Sequence, residues 1–453
     1  MKRIIIIMVA AALCGCGIYK PYTRPEMRTD GLYGEGVTET GGATIGELSW
    51  REMFADPQLQ RYIALALENN TDMLTAHQRV AEAEAALKSA RLAYLPSFNF
   101  TPQGTLASFD FAAAGKTYNV PVAASWQIDI FGGVTNAKRR ARAAYAQTLE
   151  YRQAVRAQLV SGVANMYYTL LMLDAQLEIS TQTAAKWHQI TQTMRDMKAA
   201  GMTNEAAVAQ YEGNAYAIDA SLEDLKYQIR QVENSFCTLL GESPRTVARG
   251  SIDDQRLPEN VAVGVSLEVL SNRPDVRAAE YALMQAYYST AEARSALYPS
   301  VTLSGAAGWT NSAGSVIVNP GKFLWSVVGQ LVQPIFNAGA GRARVKIMKA
   351  QQEEARLAFQ QTLLDAGAEV NSALAHTQSS RAKAELRSRQ VESMERAVEY
   401  TEMLMLHSST TYLEVLTAQQ SLLSARLSQI ADRFDELQGT VNLYRSLGGG
   451  REE

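Results

Sequence analysis

Cysteine, histidine and long apolar runs are all scarce in this chain of 453 residues. Three cysteines (Cys14, Cys16 and Cys237) cannot build a disulfide framework, least of all with two of them at the N-terminus. Among the four histidines, His77, His188 and His376 show no HxxxH or other ligand spacing, so no metal centre is expected. There is no G-x-S-x-G, no P-loop and no Cys–His pair, and Cys237 in the apolar "FCTLL" reads as packing. Neither enzymatic chemistry nor a cofactor is therefore expected. A formal net charge of -3 offers nothing to a nucleic-acid backbone. Beyond the first residues no stretch is long and apolar enough for a transmembrane helix, so a membrane could be crossed only with strands.

The N-terminus carries an address. Lys2 and Arg3 precede an apolar run from Ile4 to Leu13, about the length of a signal-peptide core. Leu13-Cys14-Gly15-Cys16 resembles a bacterial lipobox, with an aliphatic residue three before Cys16 and a small one just before it. Cys14 departs from the usual Ala, Ser or Thr. Cys16 is the expected acylated residue, 1–15 the expected signal peptide and 16–56 the expected lipid-anchored segment. An ordinary cleaved signal with two incidental cysteines is the alternative; either way the mature chain is exported.

The rest of the chain repeats itself. "AYLPSF" (93–98) matches "ALYPSV" (296–301), and "IDIFGGVTNAKRRAR" (128–142) matches "QPIFNAGAGRARVK" (333–346). "TNEAAVAQYE" (203–212) matches "TYLEVLTAQQ" (411–420), and "LLGESP" and "LGGG" close the two copies. All four matches share an offset of about 205 residues, which marks a tandem duplication with repeats at 57–250 and 251–453. Each copy reads helix, hairpin, long helix, turn, helix. Helices are expected over 57–94, 132–200, 204–240, 267–298, 340–408 and 411–447. A helix over 132–200 would be roughly 100 Å long at about 1.5 Å per residue. Helices 204–240 and 267–298 stacked end to end match its length, and 411–447 with 57–94 do the same for 340–408. A helical cylinder continuous with strands at one end follows.

The hairpins span 96–131 and 299–336, the first with strands near 96–111 and 117–131. In "TYNVPVAASWQIDIF" the residues Tyr118, Val120, Val122, Ala124, Trp126, Ile128 and Ile130 fall on one side and polar or small residues on the other. Four strands cannot close a barrel, and open edges cannot sit in lipid, so other copies of the chain are needed. The apolar side would then face lipid, with Trp309 and Trp325 where an aromatic girdle belongs. A soluble two-layer sandwich burying the same face is the alternative.

"SWREMFADPQLQRYIALALENNTDM" (49–73), "SNRPDVRAAEYALMQA" (271–286), the "ALYPS" that follows (296–300) and the duplicated plan resemble the TolC-like outer membrane factors, in their lipidated drug- and metal-efflux branch. The resemblance implies a mixed, mainly α fold, in which a trimeric outer-membrane β-barrel with four strands per protomer continues into a long periplasmic α-helical barrel. It also implies a homotrimer docked on a periplasmic adaptor protein and an inner-membrane efflux pump of the RND type, surrounded by outer-membrane lipid. The expected function is passive conduction of drugs or other small solutes to the exterior. A type I secretion duct for polypeptides and a non-conducting periplasmic structural lipoprotein remain as alternatives.

The two helix turns, Gly201-Met202-Thr203 and Ser408-Ser409-Thr410, mark the expected periplasmic tip. Family members close the tip with aspartates just after the second turn, and those positions here are Glu414 and Thr417. Glu414, Thr417 and Thr410 are therefore the constriction candidates, although the second acid is missing. A ring of Glu414 would favour cations. Lys138, Arg139, Arg140, Arg342 and Arg344 stand at the starts of the long helices, where cations oppose the macrodipole. Contact with anionic headgroups accounts for them better. Met194, Met197, Met202, Met394, Met403 and Met405, with His407, gather near the tips; packing explains them more simply than soft metal ions do.

Overall fold

The computed structural model of the chain describes residues 20–27, 45–108, 110–111, 113–256, 258, 267–313, 316–407 and 411–451. The expected signal peptide, Cys16 and Thr410 lie outside them. Helix α1 (Trp50–Met53) opens on a capping box: the Glu52 amide donates to the Ser49 hydroxyl at 3.3 Å and the Ser49 amide to the Glu52 carboxylate at 2.9 Å. Helix α2 (Pro57–Asn69) starts on Asp56, which accepts from the Gln58 amide at 2.8 Å, with Pro57 where no donor is needed. The single helix expected over 57–94 is broken at Asn70. Its side-chain oxygen accepts from the Asp72 and Met73 amides at 2.9 and 3.2 Å and so caps α3 (Thr71–Leu92). Its Nδ2 donates to the Leu239 carbonyl at 2.9 Å, a tertiary bond that local propensity could not reveal.

The long helices follow the duplication. Helices α4 (Gly133–Ala199) and α8 (Ala340–Leu406) have 67 residues each, and α5 (Glu205–Leu239) and α9 (Tyr412–Ser446) have 35 each. Both shorter helices end on the same device. Gly241 and Gly448 adopt φ of 73° and 81°, and the next amides reach back to the Cys237 and Tyr444 carbonyls at 2.9 Å. Between them the helix expected over 267–298 is divided into α6 (Leu267–Asn272) and α7 (Pro274–Ser295). Pro274 has no amide hydrogen and pushes Arg273 out of helical geometry. No described helix is long and apolar enough to cross a membrane.

The chain forms two compact units, each drawing on both repeats. One contains residues 45–77, Tyr151–Val276 and the second-repeat segment from Thr362. Its core includes Tyr62 with Tyr167 and Phe236, ring centroids 6.1 and 5.1 Å apart. The Tyr167 hydroxyl donates to Asp56 at 2.8 Å, and Gln255 Nε2 to the same oxygen at 2.9 Å. Arg249 pairs with Asp174 and, at 2.7 Å, with Glu233. Burial would lower its basicity, but the two carboxylates outweigh that and hold it raised.

The other unit contains Gln78–Glu150, Arg277–Gln361 and residues 20–27, and it holds the sheet. Strands β1 (Ser97–Phe100), β2 (Gln103–Ala107), β3 (Gly115–Ile128), β4 (Ser300–Ala313) and β5 (Val316–Val332) are antiparallel, with β1 and β2 both on β3, then β4, then β5. The strand expected over 96–111 is thus two pieces. Pro102, which cannot donate to a ladder, interrupts it just after Thr101, whose amide donates to the Pro121 carbonyl at 3.3 Å. The strand expected over 117–131 ends at Ile128, so Ile130 is not a strand residue. The chain turns there because Asp129 leaves the sheet to cap α4. Its carboxylate accepts from the Val134 and Thr135 amides at 3.0 and 2.7 Å.

Candidate functional site

Three places carry the residues singled out by the sequence: the sheet face, the junction of strands and helices, and the helix turns. In the sheet, register sorts side chains into rows. Val120 lies beside Trp309 and Phe323, Val122 beside Ala307 and Trp325, Ala124 beside Gly305 and Val327, and Ile128 beside Val301 and Leu331. Trp126 lies beside Leu303 in the same face. The opposite face has Asn119 beside Thr310 and Lys322, Ser125 beside Ser304, and Gln127 beside Thr302 and Gln330. Side chains alternate strictly across a pleat, so one face is apolar, while the other is mostly polar or small and carries Leu324, Val328 and Val332 on β5. Tyr118, Val120, Val122 and Trp126 are 37–48% exposed and Ile128 is half-buried. Trp309 and Phe323 pack edge to face at 5.2 Å, yet both remain more than half exposed. Among the described residues nothing covers this face.

At the junction, the Trp126 indole donates to the Tyr94 carbonyl at 2.8 Å, and Phe131 stacks on Tyr298 at 5.1 Å. The basic residues of α4 have partners within the protein. The Lys138 ammonium lies 5.0 Å over the Tyr94 ring, the Arg139 guanidinium 5.8 Å over Tyr288, and Arg140 meets Glu292 at 3.2 Å. Arg342 and Arg344, in the first turn of α8, are exposed. Asp129, assigned by alternation to the wet side of a strand, is the residue sequence reasoning missed. An acid a few residues before a helix start was the available signal.

At the helix turns, the Met202 amide donates to the Met197 carbonyl at 2.9 Å, and Asn204 caps α5 by accepting from Ala207 at 3.0 Å. Glu414 and Thr417 are exposed on the first turns of α9, while Val415 and Leu416 between them are buried. Thr417 donates its hydroxyl to the Leu413 carbonyl at 2.8 Å, so that hydroxyl is already engaged within the helix. A carboxylate in the first turn suits the helix dipole. Met194 is fully buried with Val208, Tyr211 and Leu416, and Met197 and Met405 pack against them. Met202 and Met403 remain exposed. Among the described residues no group of three or more His, Cys, Asp or Glu could hold a metal ion.

A family model described as Outer membrane efflux protein matches residues 62–242 and again 265–449. The chain belongs to the outer membrane efflux protein family. The match falls once on each repeat, so the duplication is the family's own unit used twice. The cation efflux system protein CusC of Escherichia coli O157:H7 is 29% identical to this efflux protein over 392 residues, 84% of each chain. The probable outer membrane lipoprotein SilC of Salmonella typhimurium is 28% identical over 352 residues, 76% of this chain and 75% of its own. A crystal structure of CusC, determined in connection with transmembrane channel formation, matches with a TM-score of 0.86 at 27% identity, covering 95% of this chain and 99% of that one. The fold is that of TolC-like outer membrane channels, mainly helical with one sheet, and the protein is an efflux channel of the outer membrane.

Proposed function

We propose that this efflux protein works as a homotrimer in the outer membrane of a Gram-negative bacterium, as a passive duct with no chemistry of its own. Each copy gives four strands (β1 with β2, β3, β4 and β5), and three copies close one barrel whose apolar rows face lipid. The observation that carries this reading is the sheet itself: one face is apolar and exposed, and β1–β2 and β5 have no further strand outside them among the described residues. Lipid tolerates neither open edges nor unpaired backbone groups, and closure with other copies satisfies both.

The chain is exported by residues 1–15 and anchored by an acylated Cys16, a reading supported by the lipoprotein relative SilC. Its helices meet a periplasmic adaptor, and an RND-type pump in the inner membrane feeds the duct. The cargo is drugs, metal cations or other small solutes; relatives named for cation and antibiotic efflux favour these over polypeptides. Glu414 lines the narrowest point, with Thr417 beside it; Thr410, outside the described residues, is the third candidate. Arg342 and Arg344, with Lys138, Arg139 and Arg140, face the headgroups at the inner leaflet.

Single-channel recordings of the purified protein in planar bilayers, wild type beside Glu414→Gln, test this. Steady cation-selective conductance whose selectivity falls in the variant is expected. Conductance that ignores the substitution would remove Glu414 from the constriction. Silence in both, persisting after the Gly201 and Ser408–Thr410 turns are loosened by substitution, would point to a structural lipoprotein.

A further inference from the structure

A cavity of about 470 Å³ opens where β3 and β4 give way to α4 and α7, inside the unit that holds the sheet. That volume lies within the range of about 300–1,000 Å³ usual for small-molecule sites. Much of its wall is apolar: Ile128, Val134, Pro299 and Pro334, with Phe131 and Tyr298 stacked at 5.1 Å and 14° between their planes. Ile130 and Tyr298, which also line it, are 41% and 45% exposed, so the cavity is reached from outside the protein.

Among the described residues three charged side chains line this cavity, and one of them is uncompensated. Asp129 accepts from the Val134 and Thr135 amides and, at 2.6 Å, from the Thr135 hydroxyl. Glu292 pairs with Arg140 at 3.2 Å. Arg344, from the start of α8, is exposed and makes no ion pair with any described residue. A lone guanidinium beside stacked rings is suited to an anion from outside, and its planar donors fit a phosphate or a carboxylate. Its position adds to this. A cation near a helix N-terminus opposes the macrodipole, whereas an anion settled there is favoured by the helix end and by the guanidinium together.

We propose that the cavity binds one anionic amphiphile per chain, with its phosphate or carboxylate on Arg344 and its tail along Phe131 and Tyr298. A bare anion gains the guanidinium alone, and a neutral tail gains the apolar wall alone; the cavity offers both within one volume. This goes beyond the headgroup contact given above, which needs a basic surface and no cavity. Two sources share the chemistry: an anionic phospholipid of the membrane, and a soluble amphiphile carried by the duct.

Native mass spectrometry of the full-length protein in a neutral detergent tests it, with phosphatidylglycerol, laurate, phosphatidylcholine and inorganic phosphate added separately. One equivalent of phosphatidylglycerol or laurate per chain is expected, with phosphatidylcholine and phosphate about tenfold weaker or worse. Arg344→Gln and Ala296→Trp should each weaken the anionic probe about tenfold, the first by removing the charge and the second by filling the cavity. Both residues are exposed, so neither change disturbs a core. Lys349→Gln, further along α8 and outside the lining, should leave binding unchanged. Tighter phosphatidylglycerol would mark the occupant as membrane lipid, and laurate as tight or tighter would mark it as a solute; either result supports the site. Several equivalents per chain that weaken alike in Arg344→Gln and Lys349→Gln, and ignore Ala296→Trp, would overturn the cavity and leave the headgroup surface standing. No binding of either anionic probe, or one equivalent indifferent to Arg344→Gln, would also overturn it.

Discussion

In the helical unit built from residues 45–77, 151–276 and those from Thr362 onward, Tyr167, Phe236 and Tyr444 are at most 1% exposed and buried charges have partners. In the sheet, Trp309, Trp325 and Val327 are 59–69% exposed although they form continuous apolar rows. The helical unit is a core that one chain completes, with polar atoms such as the Tyr167 hydroxyl satisfied from within. On the proposed trimer the sheet is half of an interface whose stability is deferred to lipid and to other copies, so the same kind of substitution should have different consequences in the two places.

The largest effect should come from a charge on the apolar rows. Val122→Arg should cost about 2–4 kcal/mol in the membrane and abolish assembled oligomer, whereas Gln127→Arg on the opposite face should cost about 0–1 kcal/mol. Unfolding in lipid vesicles, read with semi-native gels, would separate them; equal effects would erase the two-faced sheet. In the helical unit, Arg273→Leu should destabilise by about 2–3 kcal/mol in chemical denaturation. Arg273 is 8% exposed, pairs with Glu369 at 2.6 Å and Asp275 at 2.7 Å, and donates to the Ser446 carbonyl at 2.6 Å. Its carboxylate partners are partly exposed, which keeps the loss below that of a fully buried triad.

A smaller effect is expected from Tyr167→Phe, which removes the donor to Asp56 and the acceptor of the Gly250 amide, for about 1–2 kcal/mol. The acid limb of stability should follow Asp432. Burial pushes its carboxyl up, but Arg387 at 2.7 Å and Lys383 at 3.2 Å outweigh that and hold it below the usual carboxylate range. A lowered folded pKa contributes stability that is present above about pH 4 and lost as pH falls through the folded value. Arg387→Ala should therefore move acid unfolding to higher pH with little change near neutrality in its pH slope. Lys138→Ala, which removes the cation over the Tyr94 ring, should change stability by about 0.5 kcal/mol.

The sequence made the duplication and the long helices legible because repeated glycine caps and uninterrupted helix formers are local signals. The alternation around Val122 was legible for the same reason, since a pleat needs only a period of two. A break fixed by a distant partner was not: Asn70 ends α2 with help from the Leu239 carbonyl. Asp129 abandons the strand to cap α4, a local signal that the alternation overrode. The proposed constriction at Glu414 rests on family resemblance alone, because an exposed glutamate on a helix has no pattern of its own. The pairing of Arg24 with Glu280 was invisible because the two are far apart in sequence and meet only in the fold.

In the proposed barrel the open sheet is completed by copies of the same chain. Cross-linking in native outer membranes probes that closure: a cysteine at Asn99 on β1 is combined in turn with one at Ser326, Val328 or Gln330 on β5. These strands lie at opposite edges of the sheet within one chain. A ladder of monomer, dimer and trimer that stops at trimer, for at least one pairing, is the predicted result. Monomer alone for every pairing, or a ladder that continues beyond trimer, would contradict a barrel closed by three copies.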